Sequence, residues 1–306
     1  MKHAYLIMAH DNFEQLKLLI KALDHPRTDL FIHIDPKANF SDFEDLKLNA
    51  THSYVDVFSS VSVFWSDYSL TECELVLLEK AKSHDVYEFY HLISNADFPT
   101  MSQEKILHFF DANIGREFIS ISFPRNAWPF SSKPYTTETK YYHVLSKYYR
   151  TKNKLLNFIV YCIEYFFVSI QFLLRIDRIH GQYFPSKGSE WWSITDEFAS
   201  YILSKRDWIK RNFKMTRASD EVFACVLAYN SKFRNNLYSW DYHSKCHSNQ
   251  RLLDWHRGFP YSYKLEDYGE IISTGLPFVR KVDMRNDGGL VLKLYEKIMK
   301  ESGNLK

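Results

Sequence analysis

Ala4-Tyr5-Leu6-Ile7-Met8-Ala9, followed after His10-Asp11 by Asn12-Phe13-Glu14-Gln15-Leu16, decides the fold of this chain. Six apolar residues in a row fit a strand buried on both faces, as in a parallel sheet. Asn12, with Gln15 three residues on, has the pattern of a capping box. Phe13, Leu16, Leu19, Ile20 and Leu23 then recur at helical spacing and give one apolar face. A buried strand feeding an amphipathic helix is the opening half of a βαβ unit.

The rhythm repeats outward from there. Residues 30–34 and 54–58 read as the second and third strands. Ser69 and Glu72 form a second capping box and open a helix that runs to about Lys82. Residues 88–93 are the fourth strand, Ser102 caps the next helix, and 118–121 are a fifth strand. The pattern predicts an α/β fold: one catalytic domain built on a mostly parallel, Rossmann-type sheet with helices on both faces. Such sheets bind ligands beyond the carboxyl ends of their strands. Asp35 and Asp97 both fall at such ends.

Composition narrows the function. The formal net charge of +2 gives no basic field for nucleic acid. The chain has only nine glycines and neither a GxGxxG nor a P-loop string, so it lacks the dinucleotide and Walker fingerprints. Four scattered cysteines, Cys73, Cys162, Cys225 and Cys246, have neither zinc spacing nor the density of a disulfide scaffold. With the first strand starting at Ala4 and no leader ahead of it, the chain reads as cytoplasmic.

Three stretches follow: 1–124, a nucleotide-binding βαβ half; 125–180, a helical insertion; and 181–306, the acceptor and catalytic half of the same domain. Arg125 to His180 contains the basic, tyrosine-rich strings Lys147-Tyr148-Tyr149-Arg150 and Lys152-Asn153-Lys154, then an apolar run over 155–174 ending at Arg175. The run is nearly long enough to span a bilayer. Glu164 in its middle argues against spanning, as does the split it would impose between the sheet and the later motifs. An aromatic helix lying in the membrane interface, its Lys and Arg meeting anionic lipid, fits the pattern; so do a buried helix and a dimer surface. In the last third, 196–203, 220–229 and 290–299 read as helices.

Several residues there could carry chemistry. Glu221 follows Ser219 as an apparent N-cap, in a first helical turn where the dipole favours a carboxylate; any first turn favours acids equally. Arg280 and Lys281 are adjacent cations within an apolar string, with Arg257 and Lys264 nearby. Gly188-Ser189-Glu190-Trp191-Trp192 sets two tryptophans after a Gly-Ser turn, either to stack on a sugar or, for at least one of them, to fill the core. A base, cations for a departing diphosphate and an aromatic pocket are what sugar transfer from a nucleotide diphosphate requires. A metal-binding Asp-X-Asp is missing at the strand end, where Asp97 stands alone.

These strings, in this order, resemble the Core-2/I-branching β-1,6-N-acetylglucosaminyltransferase and peptide xylosyltransferase family, glycosyltransferase family 14. The resemblance covers about residues 3 to 285. It rests on Ala4 to His10, on Phe31-Ile32-His33-Ile34-Asp35, on Val63-Phe64-Trp65-Ser66-Asp67-Tyr68-Ser69 and on Leu92-Ile93-Ser94-Asn95-Ala96-Asp97-Phe98-Pro99. The Gly-Ser-Glu-Trp-Trp string, Ser219-Asp220-Glu221, Asp254-Trp255 and Phe278-Val279-Arg280-Lys281 complete it.

The resemblance implies a GT-A-like fold and an inverting enzyme that uses a UDP-sugar and needs no metal or other cofactor. It makes Glu221 the general base. Lys281, with Arg280 beside it, would bind the diphosphate, and Lys264, or else Arg257, would supply a second phosphate cation. His10, His33, Asp35 and Asp97 would lie in the nucleotide and donor pocket. Trp255 would contact the acceptor sugar, with Glu190, Trp191 and Trp192 around it. Glu190 departs from the family's usual Gln, and Trp65-Ser66-Asp67 departs from its Trp-Gly-Gly turn. The family's secretory disulfides and membrane anchor are missing, which implies a bacterial-type, cytosol-facing member peripheral to the inner face of the cell membrane. Its acceptor would be a glycan or lipid-linked oligosaccharide. A sugar nucleotidyltransferase and a non-catalytic sugar-binding protein of the same fold are the rival readings.

Overall fold

The computed structural model describes residues 1–122, 135–151, 153–179, 181–240 and 247–303. Cys246, Lys152, His180 and the 125–134 start of the middle stretch lie outside them. Ten strands are described. The central sheet contains β1 (His3–Ala9), β2 (Thr28–Ile34), β3 (Val55–Phe58) and β4 (Phe89–Ser94); β5 (Asp97–Pro99), β6 (Ile121–Ser122), β7 (Lys187–Gly188), β8 (Ser193–Thr195), β9 (Arg251–Leu253) and β10 (Phe278–Arg280) follow.

The central sheet has the order β3-β2-β1-β4-β8. Ile7 pairs in parallel with Ile32 on one side and Ile93 on the other, and only β8 runs antiparallel, with Ile194 opposite Tyr90. The unbroken apolar run of β1 is explained by its two cores. Ala4, Leu6 and Met8 face the helices Tyr68–His84, Asp196–Ser204 and Phe223–Tyr229. Tyr5, Ile7 and Ala9 face Phe13–Leu23, Gln103–Asp111 and Met284–Glu301. Alternate residues of one strand thus feed opposite layers, and every position must be apolar.

The chain leaves β1 for β2 on one side and, after β3, returns to β4 on the other. The crevice between these connections opens at the carboxyl ends of β1, β2 and β4, where a parallel sheet admits ligand. A smaller sheet, β5-β10-β9, stands beside it and pairs Arg280 with Asp97.

Four local readings need correction. The expected fifth strand, 118–121, is not a strand of the main sheet and meets it at one bridge to the edge strand β8. Phe118 exchanges backbone hydrogen bonds with Ser193 (2.9 and 3.2 Å), and Ile121 goes on to pair with Gly188, so β8 takes the place beside β4. The long helix is capped by Asp67, whose carboxylate accepts from Ser69 N at 3.0 Å; Ser69 is already inside it. Asn12 precedes its helix, but its side-chain amide donates to Gln15 and Asp283 (3.0 Å each) and makes no cap bond. The stretch 220–229 is a 3-10 turn, Ser219–Glu221, followed by a separate helix, Phe223–Tyr229.

The apolar run forms a 20-residue helix, Lys154–Leu173, capped by Asn153, whose side chain accepts from Leu155 N and Leu156 N at 3.0 and 3.1 Å. It is not a core helix: Val160, Glu164 and Gln171 are its buried residues.

Candidate active site

A cavity of about 610 Å³ occupies the crevice. The end of β1 contributes His10 and Asp11, the end of β2 His33 and Asp35, and the end of β4 Ser94, Asn95 and Ala96. Arg280 and Lys281 enter from β10, while Glu190, Trp191, Asp220 and Glu221 form the facing wall. Of the residues expected from sequence, Glu221, Arg280, Lys281, His10, His33, Asp35, Glu190 and Trp191 meet around one space.

The carboxylate wall is built by close packing. A Cβ on Gly188 would lie 1.5 Å from the Ser120 carbonyl oxygen, so the β6–β7 contact requires glycine. That contact brings Lys187 against Glu221 (2.7 Å) and Glu138 (2.8 Å). Burial opposes the Lys187 charge, but these two carboxylates outweigh it and raise its pKa. The turn carrying Glu221 is pinned from behind: Ala218 N donates to Ser66 O at 2.9 Å, and the Ser219 and Thr71 hydroxyls meet at 2.7 Å. Glu221 therefore owes its position to this turn and to Lys187, and not to an N-cap at Ser219.

Its two acidic neighbours differ. Burial pushes Glu190 up to about 7, against the pull of Arg280 and with the push of Glu221. Burial, then Glu190 and Glu221, raise Asp220 well above the carboxylate range. Asp220 Oδ1 is buried without a partner among the described residues. One ion-paired carboxylate beside two carboxyls that resist ionisation is the environment-driven division of roles used in acid–base catalysis.

The opposite wall is cationic. Arg280 donates to Ser94 Oγ (2.5 Å) and Asp97 Oδ2 (2.9 Å) and stacks over Trp191, 4.1 Å from its centroid. The Arg280–Lys281 peptide is cis. Burial lowers the Lys281 pKa, reinforced by Arg280, while Asp97 and Glu190 offset part of this. A cationic pair with one member anchored and the other partly desolvated is suited to an anion.

A sequence model of the Core-2/I-Branching enzyme family matches residues 3–272. The chain belongs to that family. Xylosyltransferase 2 of Bos taurus is 21% identical over 298 residues, and xylosyltransferase oxt of Drosophila melanogaster 23% over 301. Each alignment covers 92% of this chain and 32% of the relative, so the chain spans about a third of their length. Among solved structures, mouse xyloside xylosyltransferase 1 in its apo form is 10% identical with a TM-score of 0.37, covering 92% of this chain and 98% of that one. Staphylococcus aureus TarS 1-349 is 13% identical with a TM-score of 0.34, covering 76% and 56%. Both structural likenesses are too loose to argue from.

Not every expected residue of this Core-2/I-branching chain lines the cavity. Asp97 is buried beneath it; its Oδ2 is taken by Ser94 N, Ser94 Oγ and Arg280, so it anchors a cation instead of lining the cavity. Trp192 is core, its indole nitrogen donating to Glu74 at 3.3 Å. Arg257 is occupied by Asp254, Asp267 and Glu270 (2.5 to 3.0 Å). Lys264 begins a short 3-10 turn and, like the exposed Trp255, stands outside the lining. His33 Nε2 accepts from Ser60 N and Val61 N at 3.2 and 3.0 Å; burial lowers its pKa to about 4, so it holds that loop as a neutral ring. Asp35 holds the same loop through Val63 N at 3.3 Å.

Lys37, Arg150, Lys187, Asp220, Arg285 and Asn286 were missed. Of these, Lys187 touches Glu221, and the other five line the cavity. Arg150 stacks on Trp65 at 3.6 Å, and Arg285 pairs with Asp11 and Asp283. Arg150 belongs to the basic, tyrosine-rich string noticed for its charge, and Lys187 immediately precedes the Gly-Ser-Glu-Trp-Trp string.

Proposed function

We propose that the protein is an inverting, metal-independent glycosyltransferase that moves a sugar from a UDP-sugar to a hydroxyl of a glycan acceptor. The observation that carries this reading is the polarity of one cavity: Glu221 on a carboxyl wall, Arg280 and Lys281 on a cationic wall, at the ligand end of a parallel sheet. Family membership supports it.

In this reading the Glu221 carboxylate takes the proton of an acceptor hydroxyl. That oxygen bonds the anomeric carbon on the face opposite the leaving group. The bond from carbon to diphosphate oxygen breaks, and UDP departs with the electron pair. Lys281 and Arg280, with Arg150 or Arg285 as a further cation, stabilise the charge that develops there. Asp97 is the acid a metal would use at this strand end, and it is engaged by Arg280; among the described residues no group of three His, Cys, Asp or Glu is placed to hold a metal. Fixed cations would do that work. The donor sugar is of the xylose, GlcNAc or galactose type. The setting is bacterial cell-surface polysaccharide synthesis on the cytoplasmic side, with a lipid-linked acceptor.

The test is UDP release from UDP-xylose, UDP-GlcNAc and UDP-galactose with glycan acceptors, in EDTA. Acceptor-dependent release from one donor, lost in Glu221→Gln, is expected. Nucleotide binding without release would favour a non-catalytic binder, and a strict Mg²⁺ requirement would contradict the cationic reading.

A further inference from the structure

The helix Lys154–Leu173 presents an apolar surface that neither the protein core nor the cavity uses. At 100° per residue, its exposed apolar side chains sweep an arc of roughly 220°. Tyr165, Phe166 and Leu173 are 78%, 62% and 76% exposed, with Leu155, Phe158, Ile159, Ile163 and Phe172 beside them. Ser169 is the polar residue within that arc, and its hydroxyl donates back to Tyr165 O at 2.8 Å.

Glu164 and Gln171, on the other side, are held by the protein. Glu164 meets His143 Nδ1 at 2.9 Å and accepts from Leu145 N at 3.3 Å. Gln171 accepts from Tyr142 N and donates to Tyr142 O at 2.8 and 2.9 Å. Glu164, which argued from sequence against a spanning helix, is thus the dock that ties the helix to the body. The helix carries exposed cations at both ends, Lys147 ahead of it and Lys154 as its first residue, and Arg175 after it. None of these makes an ion pair with an acid among the described residues, whereas the nearby Asp177 is held by Lys140.

We propose that this helix lies in the plane of an anionic bilayer, its aromatic arc in the headgroup and upper acyl region and its flanking cations on lipid phosphates. The width of the arc selects this occupant: a second helix covers a narrow stripe, whereas lipid covers all the surface turned toward it. Charge of one sign at both ends selects an anionic surface. Arg150 joins the two sites, because it lines the cavity and precedes Lys154 by four residues. The docked protein therefore holds its cavity beside the membrane, where a lipid-borne hydroxyl can reach it. The docking itself does not depend on the sugar-transfer reading.

Flotation of the purified chain with vesicles of phosphatidylcholine containing 30% phosphatidylglycerol tests it. The wild type should float with these vesicles and bind at least about tenfold more weakly to pure phosphatidylcholine or in 0.5 M salt, given the contribution of each cation near an anionic surface. Phe158→Glu/Phe166→Glu should lose flotation while keeping its thermal melting point, since both sites are exposed. A double variant that still floats would overturn the proposal. So would a wild type that ignores vesicles but forms a concentration-dependent dimer, by light scattering, that the same substitutions dissolve.

Discussion

Glu190→Gln isolates the electrostatic state of the cavity. Glu190 is partly buried between Arg280 and two other acids, and burial lifts it to about 7 from an ordinary 4.5. In the folded protein the carboxyl keeps its proton across a range where the unfolded chain has lost it. The folded state binds more protons there, so stability falls as pH rises from about 4.5 and levels off above about 7. Fully expressed, that difference is roughly 3 kcal/mol; water in the cavity screens it, and about 1–2 kcal/mol is the expected observable. Gln keeps the shape and removes the charge. It also relieves Asp220, whose pKa Glu190 helps to raise, with the same sign. Urea unfolding of both proteins at pH 5 and pH 8 should show the advantage of Gln growing by about 1–2 kcal/mol between the two. An advantage equal at both pH values would refute the electrostatic account of this wall.

Glu221→Gln should lower turnover by about 10²–10⁴-fold if it is the base, with nucleotide affinity little changed; undiminished turnover by UDP-release assay would remove it from that role. Arg280→Met should destabilise by roughly 3–5 kcal/mol in urea unfolding, because Asp97 is left buried beneath the cavity without its cation; Arg280→Met/Asp97→Asn should recover much of that. Ser66→Gly should raise stability by about 1 kcal/mol in thermal melts, since Ser66 is buried with φ at 65°, a region that penalises a side chain.

Strands with one consistent environment were legible. Residues 4–9 of β1 and most of 30–34 in β2 are apolar because both faces are buried, and the residues following them therefore point to the ligand end of the sheet. The fifth strand was misplaced because 118–121 is equally apolar whether it joins β4 or exchanges bonds with Ser193; only the position of β8 resolves this. Trp191 and Trp192 look alike in sequence, yet in the link between β7 and β8 their side chains part, one to the cavity under Arg280 and the other to Glu74 in the core. Arg257 and Lys264 were named for their charge near Arg280 and Lys281 and for the second phosphate cation that the resemblance implies; the acids that occupy Arg257 are up to 13 residues away in sequence, too far for local reasoning. Lys187 was missed for the converse reason, since its value lies in the approach of Gly188 to Ser120. Ser66 shows a departure that sequence did expose: a residue other than glycine where the resemblance has a Trp-Gly-Gly turn, in the left-handed region.

Calorimetric titration of the purified chain with UDP, in parallel with GDP, ADP and CMP, each with and without EDTA, tests most directly that this cavity holds a nucleotide diphosphate by fixed cations. Selective binding of UDP that survives EDTA and is lost in Lys281→Ala is the predicted result. Binding that requires Mg²⁺, prefers another nucleotide or ignores Lys281→Ala would contradict it.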